Sequence, residues 1–429
     1  MRYGWGNDMQ RGGVACQRSE NNRTKNATYK RGTDTRFAPT IPNLKTTNRM
    51  TQDKTNKVSN VPPLRFPEFS GEYEKHTLGE MGNGIIGLTY SPRDVVEIGG
   101  TIVFRSSNIQ NGEIDYSDLV RVNMNIRENI ITRKGDLLIC ARNGSPRLIG
   151  KNVLLTEYEA GQTFGAFMLV YRSPNNPYIH KLLNTKRYVS QVKENLGARI
   201  NQITTANLND FEFYFPTNIE ESKKVADFIG LLDKRIATQI RVIEDLQTLK
   251  KAISTKVFTE IKGCNSEKLG NICSITTGKL DANAMTDEGE YMFFTCSREN
   301  YKTDTFAFDG EALLIAGNGE IGSVKYYNGK FNAYQRTYVL QNFSANIKYL
   351  QYYIEHHLPK RVLKEKNVGA MPYIVLSTLA DMPILLPSDN KQNNIVNVLQ
   401  VIENKIYVED SVLDQYKQQK QYILQQMFI

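Results

Sequence analysis

The segment Pro216–Phe258, PTNIEESKKVADFIGLLDKRIATQIRVIEDLQTLKKAISTKVF, decides the fold of this chain. Its apolar residues recur at steps of three and four, which is the pattern of an α-helix with one apolar face. They are Val225, Phe228, Ile229, Leu232, Ile236, Ile240, Ile243, Leu246, Leu249, Ile253 and Val257. At ~1.5 Å per residue, a helix of roughly 35–40 residues is a rod of about 55 Å.

The same pattern occurs again at the end of the chain. The segment Leu208–Pro216 corresponds to Leu379–Pro387 at an offset of 171, and within the helices the offset becomes 170. The matching helix pairs are Ile236 with Ile406, Val242 with Val412, Lys250 with Lys420, Ile253 with Ile423 and Phe258 with Phe428. Because the matches keep their order and spacing, we interpret them as an internal repeat rather than chance similarity.

The segments before the two helices also correspond, although more loosely. Leu78-Gly79 matches Leu269-Gly270, and Gly135–Ile139 matches Gly310–Ile315. Short β-type runs lie between glycine and asparagine turns in both segments, and a helical period is present near 179–196. The sequence therefore predicts an α+β fold with two tandem globular modules, each followed by a long helix.

An apolar stripe on a lone helix would be exposed to water, so each long helix needs a partner. Antiparallel pairing of the two repeats as a coiled coil satisfies both stripes and predicts pseudo-twofold symmetry. The residues predicted to pair, or to form an interface with other subunits, are Leu232, Ile236, Ile243, Leu246, Ile402, Ile406, Leu413 and Tyr416. The predicted domains are 61–216 (module 1), 217–262 (central helical spacer), 263–387 (module 2) and 388–429 (C-terminal helical spacer).

The positive charge is concentrated in the first 60 residues. The whole chain has a formal charge of +9, and residues 1–60 hold 12 Lys and Arg against 4 acidic residues. This segment lacks hydrophobic periodicity and is predicted to be a disordered basic tail. Two interpretations stay open: a native extension, or non-native sequence upstream of a true start at Met50. The other residues are nearly neutral, so overall charge is weak support for binding to nucleic acid.

The five cysteines form no CxxC pair, and their odd number fits a reducing cytoplasm better than a disulfide framework. No apolar run approaches the ~18 residues of a membrane span. The sequence therefore predicts a cytoplasmic protein without a membrane partner.

Three segments resemble a known family. Leu64–Tyr73 with Leu78-Gly79-Glu80, and the helix starts Pro216–Leu232 and Pro387–Ile402, are similar to the specificity (S) subunit of type I restriction-modification systems, over about residues 61–429. The resemblance implies a non-catalytic reader of double-stranded DNA whose two modules are target-recognition domains, each for one half of a split sequence. It also implies two methyltransferase (M) subunits, which carry S-adenosylmethionine, and restriction (R) subunits, which use ATP; no cofactor is expected on this chain.

A rod of ~55 Å spans about 15 base pairs of DNA, so modules at its ends could read two short sites about one to one and a half helical turns apart. This inference depends on the modules binding DNA, which the rod alone does not establish.

Motifs for catalysis or metal binding are weak. Gly317–Gly322 fits G-x-G-x-x-G, but strand-like sequence and an Asn328-Gly329 hairpin signal follow it, so we predict a glycine-rich turn. Asn176-Pro177-Tyr178 lacks the second proline of the adenine methyltransferase signature and is better interpreted as a helix start. The four histidines have no metal-ligand spacing, and no catalytic residue is nominated.

Candidate DNA contacts come from local basic clusters and from Arg, Asn and Gln near turns, since these side chains pair with base edges. In module 1 they are Arg105, Asn108, Arg142, Asn143, Arg147, Lys151, Arg199, Asn201 and Gln202. In module 2 they are Arg298, Asn300, Asn318, Lys325, Gln335 and Arg336. A solvated surface role stays open for each of them, and the target sequence is not predicted.

A coiled-coil adaptor whose globular modules bind protein or RNA is the alternative hypothesis. A self-sufficient methyltransferase or nuclease is disfavoured because the cofactor and catalytic motifs are missing from the sequence.

Overall fold

The structure, a computed structural model, describes residues 45–46, 59–196, 201–365 and 373–429. Most of the predicted tail and the candidate Arg199 lie outside the described residues. The chain divides into residues 1–44 and residues 45–429, and only the second unit is described below. It consists of two α+β modules and two long helices in the predicted order.

Module 1 consists of short strands with three helices near its end and one single-turn helix near its start. One strand, β1 Lys45–Thr46, precedes it. Its own strands are β2 Leu64–Arg65, β3 Glu74–Thr77, β4 Asn83–Ile86, β5 Val95–Val96, β6 Thr101–Phe104, β7 Ile109–Gln110, β8 Glu113–Ile114, β9 Val120–Val122, β10 Leu137–Cys140, β11 Asn152–Leu154, β12 Thr163–Phe164, β13 Met168–Arg172 and β14 Glu212–Phe215. Its helices are α1 Leu78–Met81, α2 Asn176–Leu182, α3 Lys186–Glu194 and α4 Thr205–Asp210. The helix α5, Ile219–Thr259, follows it.

Module 2 repeats this order with fewer elements. Its strands are β15 Asn265–Lys268, β16 Ser274–Thr277, β17 Tyr291–Phe294, β18 Tyr301–Thr303, β19 Glu311–Ala316, β20 Val324–Asn328, β21 Phe331–Ala333, β22 Thr337–Gln341 and β23 Pro383–Leu386. Its helices are α6 Leu269–Ile272, α7 Ile347–Glu365 and α8 Leu376–Ala380, and α9, Asp389–Met427, follows it.

The two modules share their sheet topology. A four-stranded antiparallel sheet has the order β11-β10-β13-β4 in module 1 and β20-β19-β22-β16 in module 2. A second sheet contains one parallel pair in each module, β6 with β12 and β17 with β21. The pairs β3–β14 and β15–β23 bring a strand near the start of each module against its last strand. The start and the end of each module therefore lie side by side, next to the start of the long helix that follows it.

The sheet of module 2 has an apolar core on each face. Leu313 and Ile315 of β19 pack on the side of α7, while Ala312 and Leu314 pack on the opposite side with Phe331. Alternate side chains of a strand point to opposite faces, so the fully apolar run of β19 is explained by burial on both faces.

The long helices begin directly after a proline that ends a strand. Pro216 follows β14, and the Asn218 side chain accepts a hydrogen bond from the Glu220 amide at 2.9 Å, which caps α5. Glu220 and Glu221 in the first turn and Lys256 in the last turn favour the helix dipole. Both helices lie within the predicted spacer segments, whose boundaries as domain limits stay predictions.

The two long helices pair in antiparallel orientation, as predicted. Lys420 Nζ lies 2.6 Å from Asp233 Oδ1, and Lys250 Nζ lies 2.8 Å from Glu403 Oε1. Between them, the Gln239 amide donates to the Glu409 carbonyl at 3.1 Å. As the residue number rises along α5, the partner's number in α9 falls, so the helices run in opposite directions.

These contacts also define the pseudo-twofold axis. The repeat offset of 170 relates Asp233 to Glu403 and Lys250 to Lys420, so each ion pair maps onto the other with its partners exchanged. Gln239 contacts Glu409, which is its own repeat equivalent, so the axis passes close to these two residues.

Each long helix ends against the opposite module. Phe258 at the end of α5 packs edge-on against Tyr353 of module 2, with ring centroids 5.4 Å apart. Its repeat equivalent Phe428 packs against Tyr178 of module 1, with centroids 5.2 Å apart. The modules therefore lie at opposite ends of the helix pair, as predicted.

Local predictions had mixed outcomes. A helix starts at Asn176, and Gly317–Gly322 is a turn between β19 and β20, both as predicted. The hairpin prediction at Asn328-Gly329 was wrong: β20 pairs with β19 and β21 with β17, so this turn connects two different sheets. Among the described helices, none is long and apolar enough to cross a membrane.

Candidate functional site

The residues predicted to pair the helices lie in the seam, which is the contact surface between α5 and α9. Leu232, Ile243 and Leu413 are buried, and Ile236, Leu246, Ile402, Ile406 and Tyr416 are half-buried. The Arg235 guanidinium lies over the Tyr416 ring, 5.4 Å from its centroid. Their predicted role as an interface with other subunits stays a prediction.

An ion cluster joins module 1 to the helix pair. Asp233 of α5 binds both Lys181 of α2 and Lys420 of α9, each at 2.6 Å. Burial by itself raises the pKa of Asp233, but the two ammonium groups outweigh it and hold the pKa below its usual value. Lys181 therefore has a structural role at this joint.

The equivalent joint at module 2 has a different charge pattern. Lys250 of α5 binds Glu403 of α9 at 2.8 Å and approaches Glu355 of α7 at 3.6 Å. The Tyr352 hydroxyl of α7 donates to Glu403 at 2.7 Å. Burial raises the pKa of Glu355, although Lys250 opposes this shift. Each module is thus held to the helices by a partly buried polar network.

Two candidate DNA contacts of module 1 build a loop instead. Asn108 is 1% exposed, and its amide donates to the carbonyls of Asp115 and Asp118 at 3.1 and 2.8 Å. The Arg105 guanidinium binds the Asp118 carboxylate at 2.7 Å. The prediction that Asn108 reads a base is corrected on this point, because its side chain is buried and its hydrogen bonds are made within the loop.

The remaining described candidates of module 1 lie together beyond β10. Arg142 is exposed and lies over the Phe167 ring, 4.9 Å from its centroid, and it forms an isolated β-bridge with Gln202. Asn201 donates to the Gly144 carbonyl at 3.0 Å, which ties the two loops together. The other candidates here are half-buried Asn143 and Lys151 and exposed Arg147.

In module 2, Lys325 also has a structural role. Its ammonium group donates to the carbonyls of Ser297 and Arg298 and to the Asn300 side chain, at 2.9–3.0 Å. Burial lowers the pKa of Lys325. Lys325 and Asn300 thus hold the 297–300 loop, and the DNA-contact role of Lys325 stays a prediction. Arg298 projects from that loop with 84% of its side chain exposed and pairs with Glu320 at 3.0 Å.

Asn318, Gln335 and Arg336 lie beyond the equivalent end of the module 2 sheet. Gln335 and Arg336 are exposed and line a surface pocket with Tyr373, whose side chain is 64% exposed. The exposed rings of Tyr373 and Phe167 lie beside these candidates. The sequence did not single out either residue as a candidate contact, because single exposed aromatic residues near turns carry no periodic signal.

The described residues contain no group of three or more His, Cys, Asp or Glu side chains that could hold a metal ion. His356 and His357 stack on Phe258 and Tyr353 instead. Burial, with the neighbouring His356 and Lys360, lowers the pKa of His357 to about 4.

Comparison with known proteins identifies relatives of both the sequence and the fold. Residues 262–417 match the family model of the type I restriction modification DNA specificity domain. The chain is 36% identical over 151 residues to the type I restriction enzyme EcoDI specificity subunit of Escherichia coli, which covers 35% of this chain and 34% of that protein. It is 25% identical over 224 residues to a putative type I specificity subunit of Mycoplasma pneumoniae, covering 48% of this chain and 80% of that protein.

A solved structure shares the fold over nearly its whole length. The crystal structure of the type I restriction-modification system S subunit from M. genitalium superposes with a TM-score of 0.56, at 15% identity, over 86% of this chain and 99% of that one. The match to EcoDI, by contrast, spans about a third of that subunit. Residues 262–417 therefore match a type I restriction modification DNA specificity domain in sequence, and the chain shares the fold of a type I restriction-modification system S subunit.

Proposed function

We propose that this chain is the non-catalytic subunit that selects the DNA target of a type I restriction-modification complex. Module 1 reads one half of a split target in double-stranded DNA, and module 2 reads the other. Such a complex would act in the cytoplasm.

One observation carries this proposal: two modules of the same topology are held at opposite ends of an antiparallel helix pair with a pseudo-twofold axis at Gln239 and Glu409. Two readers at a fixed separation match a target of two short sequences with a fixed gap. The α5 helix of 41 residues is about 62 Å long, which corresponds to the length of about 18 base pairs of duplex.

The helix pair would recruit the catalytic subunits. Apolar side chains remain exposed on its outer faces, among them Leu231, Val401 and Tyr407, with exposed fractions of 64, 69 and 76%. Leu231 and Val401 are related by the repeat offset of 170, so two equivalent surfaces are available for two methyltransferase subunits. S-adenosylmethionine would be bound by those subunits, and ATP by the restriction subunits.

The test uses the chain co-expressed with the methyltransferase subunits of its own system. We expect one stable complex with two methyltransferase subunits per chain, and methylation of a single split motif in genomic DNA when modified adenines are mapped. Methylation without a split motif would overturn the proposal. Binding of RNA or protein without affinity for DNA would favour an adaptor instead.

A further inference from the structure

The two modules place equivalent residues beyond the same end of their four-stranded sheets. In module 1, Cys140 at the end of β10 lies opposite Met168, the first residue of β13. In module 2, Ala316 at the end of β19 lies opposite Thr337, the first residue of β22. Arg142 and Asn318 each lie two residues after the first of these strands, so they correspond. Phe167 and Arg336 each lie one residue before the second strand and correspond in the same way.

Backbone hydrogen bonds at this end support the correspondence. The Ala141 amide donates to the Phe167 carbonyl at 3.0 Å, and the Gly317 amide donates to the Arg336 carbonyl at 3.0 Å. Because both modules form the same backbone hydrogen bond, their loops can be aligned residue by residue from the backbone alone.

A third position follows from a second pair of hydrogen bonds. The Ile203 amide donates to the Ala141 carbonyl, and the Ile374 amide donates to the Gly317 carbonyl, both at 2.9 Å. The residue before each of these isoleucines is Gln202 in module 1 and Tyr373 in module 2. These two residues are therefore equivalent.

The three positions carry the same three chemical groups in a different arrangement. Triad 1 consists of Arg142, Phe167 and Gln202, and triad 2 consists of Asn318, Arg336 and Tyr373. Each triad holds one guanidinium, one aromatic ring and one side-chain amide. The two rings are 57% exposed at Phe167 and 64% exposed at Tyr373, although large rings are usually buried.

We infer that triads 1 and 2 are the equivalent base-contacting surfaces of the two modules, and that the arrangement of their side chains determines which sequence each module prefers. This inference rests on the proposed function. A guanidinium pairs with the major-groove edge of guanine, an amide with that of adenine, and an aromatic ring contacts the methyl group of thymine. The cation–π contact between Arg142 and Phe167 restrains the guanidinium before DNA binds.

The twofold relation adds a geometric argument. Equivalent backbone positions on modules related by a twofold axis meet two half-sites in equivalent ways, so one docking geometry serves both modules. Because the side chains differ at each of the three positions, the same geometry reads two different sequences.

The test compares Phe167→Ala and Tyr373→Ala in the complex with methyltransferase subunits, by selection from duplexes in which both half-sites are randomised. We expect Phe167→Ala to weaken the preference at one or two base pairs of one half-site by about tenfold to a hundredfold, and Tyr373→Ala to do so only in the other half-site. The control is Tyr158→Ala, since Tyr158 is an 89% exposed aromatic residue of module 1 outside triad 1. It should leave both half-sites unchanged.

Arg142→Ala and Arg336→Ala provide a second pair of variants, and thermal unfolding checks that every variant keeps the wild-type stability. Unchanged base preferences in the triad variants would overturn the inference while leaving the proposed function intact. Uniform weakening on all sequences would also overturn it, because that result indicates phosphate contacts. If the wild-type complex itself had no sequence preference, the proposed function would fail first.

Discussion

Glu221, in the first turn of α5, is a buried acidic residue with two side-chain partners. It is 1% exposed, and the Arg65 guanidinium binds both of its carboxylate oxygens at 2.7 Å. The Tyr73 hydroxyl donates to the same carboxylate at 2.9 Å. This network connects the first residues of module 1 to the start of the helix pair.

Replacing Glu221 by Ala should destabilise the fold by about 3–5 kcal/mol, because the Arg65 charge loses its carboxylate partner in a site that is 12% exposed and keeps only backbone carbonyls as acceptors. Chemical denaturation measures this loss. The matched control is Glu220→Ala, which removes an exposed carboxylate from the same turn and should change stability by about 0.5 kcal/mol or less. Equal effects of the two substitutions would contradict the argument.

His180 predicts a pH dependence. Burial, together with the positive charges of Lys181 and Lys420, lowers its pKa from 6.5 to about 3, although Asp233 opposes the shift. Since the pKa is lower in the folded state, the unfolded chain binds more protons between these values. The contribution of neutral His180 to the free energy of unfolding is therefore fully present above about pH 6.5. It is lost as the pH falls towards 3, by at most about 1.4 kcal/mol per pH unit.

The test of this dependence is His180→Gln, which replaces the titratable ring by an uncharged polar side chain. Between pH 7.5 and pH 4.5 the wild-type chain should lose about 2–3 kcal/mol more stability than the variant, measured by denaturation in urea. Parallel losses in both proteins would show that folding does not lower the pKa of His180.

The sequence predicted the exposure of some candidate residues correctly but not the loop contacts of others, and this difference has a physical cause. Arg142 and Arg336 were selected from local composition and are exposed. Asn108 and Lys325 were selected by the same criterion but serve the loops, because their partners are backbone carbonyls whose positions depend on loop conformation. Composition identifies side chains that can pair with bases, whereas only the folded loops decide which of them remain available.

At the scale of elements, the spacing of apolar residues was sufficient to predict both long helices and their pairing. The equivalence of the module loops was not predictable in this way. Corresponding residues differ by 176 positions at Cys140 and Ala316, by 169 at Met168 and Thr337, and by 171 at Ile203 and Ile374. Loops of different length shift the offset several times, so only the hydrogen-bond register reveals the correspondence.

The helix seam gives a prediction at this scale. Ile243→Asp should destabilise the fold by about 3 kcal/mol or more, because it removes a 6% exposed apolar side chain and places a carboxylate without a partner in the seam. Leu249→Asp is the control on the same helix, since Leu249 is 47% exposed, and its cost should stay below about 1 kcal/mol. Denaturation midpoints compare the two, and similar midpoints would show that the seam is not closed at Ile243.

At the scale of the whole molecule, the pseudo-twofold axis fixes where the rod can be lengthened symmetrically. Insertions between Gln239 and Ile240 and between Glu409 and Asp410 lie beside this axis, so equal insertions in both helices move the two modules apart without changing either joint. Insertions of whole heptads keep the apolar stripe in the seam.

Three heptads inserted at both points lengthen the rod by about 31 Å, close to the 34–36 Å of one DNA turn. We expect the lengthened protein to select the same two half-sites with a gap about nine to ten base pairs longer, when duplexes with varied gaps compete for binding. One heptad adds only about 10 Å, or about three base pairs, which turns the second half-site by about a third of a turn around the duplex. That variant should bind every gap weakly, and equal binding by both variants would mean that the helix pair does not set the distance between the modules.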